Sequence, residues 1–211
     1  MNLPIRDDGQ EREKFPTIVH SLIDAAKKYP ERTAVICGEN SLTYKELNFA
    51  AASLAITLRQ RGIESGDRIA VIAPASLELP QIIFGVMGAK AQVTLMNPNF
   101  TQRELEPLLH ISEPKAVLCH PNFRKTLSRL SKKLGFEVLS ISDELWCNSN
   151  DWVLDRLPNG ANMAVLLFTG GTTGVSKGVP HTHEQVIASL LAIEDRWPTS
   201  LDSEVFLNIP P

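Results

Sequence analysis

An α/β fold is what this sequence predicts: a mostly parallel sheet flanked by helices. Three observations carry it. From Arg68 to Ser140, strand-like and helical stretches alternate strictly, the pattern of strand–helix–strand units whose crossovers cover both faces of a parallel sheet. The run Arg68-Ile69-Ala70-Val71-Ile72-Ala73 is almost wholly apolar, as a strand buried on both faces must be. Thr43 with Glu46, and Thr101 with Glu104, have the spacing by which a hydroxyl and a carboxylate reciprocally cap a helix start.

Taken in order, residues 1–14 are charged and unpatterned and are expected to form a flexible N-terminus. Thr17 to Tyr29 places Ile18, Leu22, Ala25 and Tyr29 on one helical face, with Pro30 as the stop. Ala34 to Cys37 reads as a strand, followed by a turn at Gly38-Glu39-Asn40. The Thr43 box opens a helix whose Leu47, Ala51, Leu54 and Leu58 form a core stripe, with Gly62 at its end.

After the strand that Pro74 closes, Ser76 is expected to cap a helix running to about Lys90. Gln92 to Met96 is the next strand, and the Thr101 box opens a helix to about Ile111. A strand at Ala116 to Cys119, a helix at Asn122 to Leu134 and a strand at Glu137 to Ser140 continue the alternation. Asp143 to Gly160 is expected to be irregular. Met163 to Phe168 resumes the sheet, Glu184 to Arg196 is helical, and Glu204 to Leu207 begins another strand.

Composition narrows the functional classes. A 211-residue chain that is 43% hydrophobic has ample material for a core. A net charge of −3 gives no sign of nucleic-acid binding. Cys37, Cys119 and Cys147 are far apart and form no metal-ligand or disulfide framework. No hydrophobic signal segment opens the chain. No apolar run approaches the roughly 18 residues of a membrane span. The expectation is a soluble, cytoplasmic protein.

The chemistry concentrates in one stretch, Val165 to Val179, where an apolar run ends in Thr169-Gly170-Gly171-Thr172-Thr173-Gly174-Val175-Ser176-Lys177-Gly178. Glycines let backbone N–H groups turn toward a ligand and let it approach closely. Threonine hydroxyls add donors and Lys177 adds a full positive charge. Together they suggest a phosphate cradle at the end of a strand. The Walker A pattern is rejected, because Ser176 precedes Lys177 and Gly178 follows it, so the magnesium-binding hydroxyl is out of place. Gly174-Val175-Ser176-Lys177-Gly178 also matches the nucleophile elbow of hydrolases. That motif needs its serine on a sharp turn straight after a strand with a helix at once, and here a polar loop and Pro180 intervene. A plain surface loop would not need this density of glycine and threonine around one lysine.

Phe168 to Gly178 resembles the signature loop of the adenylate-forming superfamily, which includes acyl-CoA synthetases, aryl-CoA ligases and the adenylation domains of peptide synthetases. It follows that pattern at every position except Ser176, which stands where the family has proline. Gly170 is the choice most like fatty acyl-CoA synthetases. Leu42 to Leu47, Gly66 to Val71, Gly88 to Ala91 and Asn97-Pro98 are similar to further family stretches, with Gln92 a departure near where the family more often has glycine.

The resemblance implies that residues 15–211 form an incomplete N-terminal part of the large domain of such an enzyme, with the C-terminal remainder absent. It implies attack of a carboxylate on the α-phosphate of ATP to give an acyl-adenylate and pyrophosphate, followed by transfer to a thiol, usually coenzyme A. Thr169, Gly170, Gly171, Thr172, Thr173, Gly174 and Lys177 are then the ATP-phosphate-binding residues, Mg²⁺ is a phosphate partner, and no catalytic or protein-ligated metal residue falls in this portion. A fatty acid is the favoured substrate. A peptide-synthetase adenylation domain is the near alternative, and a remnant that only binds a nucleotide or a partner is the other class. The 211-residue chain alone is expected to be inactive, and its oligomeric state cannot be read. His181 and His183 lack a third ligand in view, and His183 is read as packing or capping at a helix start.

Overall fold

In the computed structural model, residues 15–141, 156–169 and 176–196 are described. The first helix, α1 (Ile18–Lys28), is capped by Thr17, whose side chain accepts from the His20 N–H. β1 (Thr33–Cys37) and β2 (Asn40–Thr43) form an antiparallel hairpin. Gly38 takes the left-handed conformation at its turn, with φ of +61°, which a side chain would resist.

The Thr43 box forms as expected: the Glu46 N–H donates to Thr43 Oγ1 at 3.2 Å, and the Thr43 N–H donates to Glu46 Oε2 at 2.8 Å. It opens α2 (Tyr44–Gln60), which buries Leu47, Ala51, Leu54 and Leu58. At its far end Gly62 has φ of +80°. The Gly62 N–H reaches the Arg59 carbonyl and the Ile63 N–H reaches the Leu58 carbonyl, both at 3.0 Å, the paired bonds of a glycine-terminated helix.

The main sheet then builds outward from β3 (Arg68–Ile72). β4 (Gln92–Leu95) lies parallel on one side and β5 (Ala116–Cys119) parallel on the other, with β6 (Glu137–Ser140) beyond β5. β7 (Met163–Thr169) runs parallel to β4, and β8 (Lys177–Thr182) closes the edge antiparallel to β7, giving the order β6-β5-β3-β4-β7-β8. The mostly parallel sheet is therefore observed.

Its two faces are covered separately. Ile69, Val71, Val93 and Leu118 pack with residues of α2 and α3 (Glu78–Gly88). Ala70, Ile72, Val117 and Cys119 pack with residues of α4 (Gln102–Ser112) and α5 (Arg124–Leu134). α2 and α3 approach so closely that a Cβ on Gly85 would lie 2.9 Å from Leu54 Cβ. No helix among the described residues is long and apolar enough to cross a membrane.

Several expectations need correction. Ser76 does not cap α3: the helix starts at Glu78 after Leu77, with no side-chain cap. Pro80 occupies its first turn, where a missing N–H has no intrahelical partner to lose. The helix also stops at Gly88 rather than Lys90, because Lys90 turns left-handed with φ of +65°. Asn122 falls in a short 3₁₀ turn, Pro121–Phe123, that precedes α5. Two strands, β2 and β8, stand where turn and loop were expected. The irregular stretch expected at Asp143 to Gly160 lies mostly outside the described residues. The flexible N-terminus expected at residues 1–14 and the strand expected at Glu204 to Leu207 lie wholly outside them.

Candidate phosphate-binding turn

β7 alternates in the manner of a strand with one covered face: Ala164 and Leu166 are buried while Leu167 and Thr169 are exposed. It is anchored to the sheet where Val165 stands opposite Val93 and where the buried Thr94 hydroxyl donates to the Leu166 carbonyl at 2.8 Å. It ends at Thr169, on the carboxyl edge of the parallel strands, the edge where open α/β sheets bind ligands.

The chain returns as β8, and the register brings Thr169 opposite Lys177, Phe168 opposite Gly178 and Leu166 opposite Pro180. Thr169 Oγ1 donates to the Lys177 carbonyl at 3.4 Å, a long bond. Lys177 is exposed, and no ion pair joins it to another described residue. Gly178 has a packing reason to be glycine: a Cβ there would lie 3.1 Å from Leu166 Cδ1. Pro180 is accommodated because, among the described residues, β8 is an edge strand.

Of the seven residues assigned to phosphate on the sequence, Thr169 and Lys177 are thus brought face to face at the base of the turn. Gly170, Gly171, Thr172, Thr173 and Gly174 lie outside the described residues. Ser176, the departure from the family pattern, immediately precedes β8 and is half-buried. The exposed Thr169 hydroxyl and Lys177 ammonium suit an anionic polyphosphate: one can donate a hydrogen bond and the other contributes charge.

Beyond β8, α6 (His183–Arg196) begins at once. The Thr182 N–H donates to Gln185 Oε1 at 2.9 Å and the Gln185 N–H to Thr182 Oγ1 at 3.3 Å. This reciprocal box was legible in the sequence as threonine followed three residues later by glutamine, and it was missed. His181 and His183 do not form a pair: His181 is on the strand opposite Val165, and His183 is the first helical residue. His183 is fully buried, and its backbone N–H donates to the Asn162 carbonyl at 3.0 Å. Burial, with a smaller contribution from His20, pushes its pKa down to about 4, so the ring is neutral near pH 7.

Two further residues were missed because each acts across strands. Thr94 is one. Gln92 is the other: it is buried, and its Oε1 accepts from Arg68 Nε at 2.5 Å. The Arg68 guanidinium also donates to the Ser112 carbonyl. The departure at Gln92 therefore ties β3 to β4 and, through Arg68, to the end of α4. Cys119 is buried in the core, and desolvation raises its pKa to about 11, so it is no nucleophile.

The architecture defines a class: an α/β domain in which the parallel strand β7 is followed in sequence by a glycine- and threonine-rich segment and a lysine. The AMP-binding enzyme family matches residues 22–211, and the chain belongs to that family. It is 29% identical over 181 residues to tyrocidine synthase 3 of Brevibacillus parabrevis, covering 86% of this chain and 3% of that protein. It is 26% identical over 216 residues to a long-chain-fatty-acid–CoA ligase of Salmonella typhimurium, covering 84% of this chain and 38% of the ligase. The fold is similar to the crystal structure of ATP-bound MatB from Rhodopseudomonas palustris, with a TM-score of 0.75 and 24% identity, covering 87% of this chain and 38% of that one. The chain thus spans well under half the length of these relatives.

Proposed function

We propose that this chain is the N-terminal portion of an ATP-dependent carboxylic acid–CoA ligase, which converts a carboxylate and ATP to an acyl-adenylate and pyrophosphate and then forms the acyl-CoA. The observation that carries this reading is the pairing of Thr169 with Lys177 at the base of the glycine- and threonine-rich turn. The family match supports it.

In this reading the turn does electrostatic work. Pyrophosphate is the leaving group, so donors on the β- and γ-phosphates favour its departure. Thr169, Thr172 and Thr173 supply hydroxyls, Gly170, Gly171 and Gly174 supply backbone N–H groups, and Lys177 supplies charge. Mg²⁺ would be held mainly by phosphate oxygens and water, adding charge neutralisation without a dedicated protein cage. No group on this chain is assigned to proton transfer or covalent catalysis.

A fatty acid is the favoured substrate, on Gly170 and the likeness to a long-chain-fatty-acid–CoA ligase. An amino acid and a peptide-synthetase context is the second reading, favoured by the likeness to tyrocidine synthase 3. Acid-dependent ATP–pyrophosphate exchange, measured on the complete protein that carries this chain, decides between them. Exchange with medium- or long-chain fatty acids supports the ligase. Exchange with amino acids alone moves the assignment to the adenylation domain. Binding of MgATP without exchange for any fatty, aryl or amino acid would leave a non-catalytic nucleotide-binding remnant.

A further inference from the structure

The hairpin that presents Thr169 and Lys177 joins the rest of the sheet through one seam. Among the described residues β8 pairs with β7 alone, at the sheet edge. β7 runs parallel to β4, with Val165 opposite Val93. Beside that pair sits Thr94, with 0% exposure, its hydroxyl 2.8 Å from the Leu166 carbonyl. No other side-chain hydrogen bond joins β4 to β7 among the described residues.

A buried hydroxyl is costly unless it is hydrogen-bonded. The Thr94 bond therefore does more than add strength: it selects the register in which the Leu166 carbonyl faces β4. A slip of β7 by one residue would reverse its side-chain faces and also leave the Thr94 hydroxyl without its acceptor. Leu166 lies three residues before Thr169 on the same strand, about 10 Å at a rise of about 3.3 Å per residue. A fixed Leu166 carbonyl thus fixes the height at which Thr169, and through it Lys177, meets a ligand.

We propose that Thr94 is a positioning residue for the phosphate-binding turn, acting through the Leu166 carbonyl to fasten the β7–β8 hairpin to the parallel sheet. This rests on the phosphate reading above and names a residue outside the turn on which that reading depends. Nothing in the local sequence Gln92-Val93-Thr94-Leu95 distinguishes Thr94 from an ordinary strand threonine.

The test compares the parent chain with Thr94→Val, which keeps the side-chain shape and removes the donor, and Thr94→Ser, which keeps the donor. Amide hydrogen exchange is followed over β7 and β8, with β3 and β5 as internal references. Binding of magnesium pyrophosphate is titrated on the same three proteins. In Thr94→Val, exchange over β7 and β8 should rise about tenfold while β3 and β5 stay within about twofold. Pyrophosphate binding should weaken about fivefold or more, and Thr94→Ser should restore both readouts. Equal acceleration across all four strands, or failure of serine to restore the hairpin, overturns the proposal. So does unchanged pyrophosphate affinity in a Thr94→Val protein whose hairpin has loosened. If the parent chain itself binds no pyrophosphate, the phosphate reading falls, and the exchange pattern alone decides whether Thr94 fastens the hairpin.

Discussion

Thr169 and Lys177 are, among the described residues, the last register pair of the β7–β8 hairpin, so the two ends of the glycine- and threonine-rich segment are held at strand spacing, about 5 Å between Cα atoms. The sheet, not the turn itself, sets the separation of a hydroxyl and an ammonium at its base. Because the Thr169 Oγ1 bond to the Lys177 carbonyl is long and exposed, it contributes little to the fold. Thr169→Val is therefore expected to change stability by less than about 0.5 kcal/mol. Affinity for magnesium pyrophosphate should fall about tenfold or more, the worth of one hydrogen bond to a charged group. Chemical denaturation and a pyrophosphate titration on the same preparation check both halves.

His183 predicts a pH dependence. Its pKa is about 4 in the fold against an ordinary value of 6.5. Between these values the unfolded chain carries a proton that the folded chain excludes. Stability attributable to His183 is therefore complete above about pH 6.5 and declines as pH falls toward 4, by at most about 1.4 kcal/mol per pH unit. His183→Leu keeps an apolar side chain at the buried site and should flatten this slope. Urea midpoints at pH 7.5, 6 and 5 measure it; an unchanged slope in the variant would assign the acid sensitivity to other groups.

Gly85→Ala pits two effects against each other. Alanine is the better helix former by about 1 kcal/mol. Its Cβ would however sit 2.9 Å from Leu54 Cβ, an atom close to the α2 backbone that cannot swing away, and overpacking of this kind costs about 1–3 kcal/mol. The clash is expected to win, with a net loss of about 1 kcal/mol or more in denaturant unfolding. A stabilised variant would mean that α2 and α3 separate readily.

The parallel sheet was legible because its strands are buried on both faces. Ile69 to Ile72 and Ala116 to Cys119 have no polar member, and the Thr43 and Thr101 boxes mark helix starts directly. The strands that escaped are those whose pairing, not whose composition, makes them strands. Lys177-Gly178-Val179-Pro180-His181-Thr182 has neither apolar alternation nor a run of β-branched residues, and Pro180 argues against a strand. β7 supplies the partner that makes it one. Asn40 to Thr43 is short and largely exposed, so it carries no hydrophobic signal either. Ser76 misled because a hydroxyl near a helix start is only a cap when the chain turns at that residue, and here the helix began two residues later. At the candidate site, residue types were legible in the turn itself. The supports at Thr94 and Gln92 were not, since each finds its partner on another element.

The central claim is that the turn closed by Thr169 and Lys177 holds the phosphates of ATP. The most direct test is the affinity of the chain for MgATP, measured calorimetrically for the parent and for Lys177→Ala, with circular dichroism confirming that both are folded. Removing the single positive charge at an exposed position should leave the fold intact and weaken binding at least tenfold. Equal affinity in two folded proteins would contradict the claim and place the nucleotide, if it binds, elsewhere on the chain.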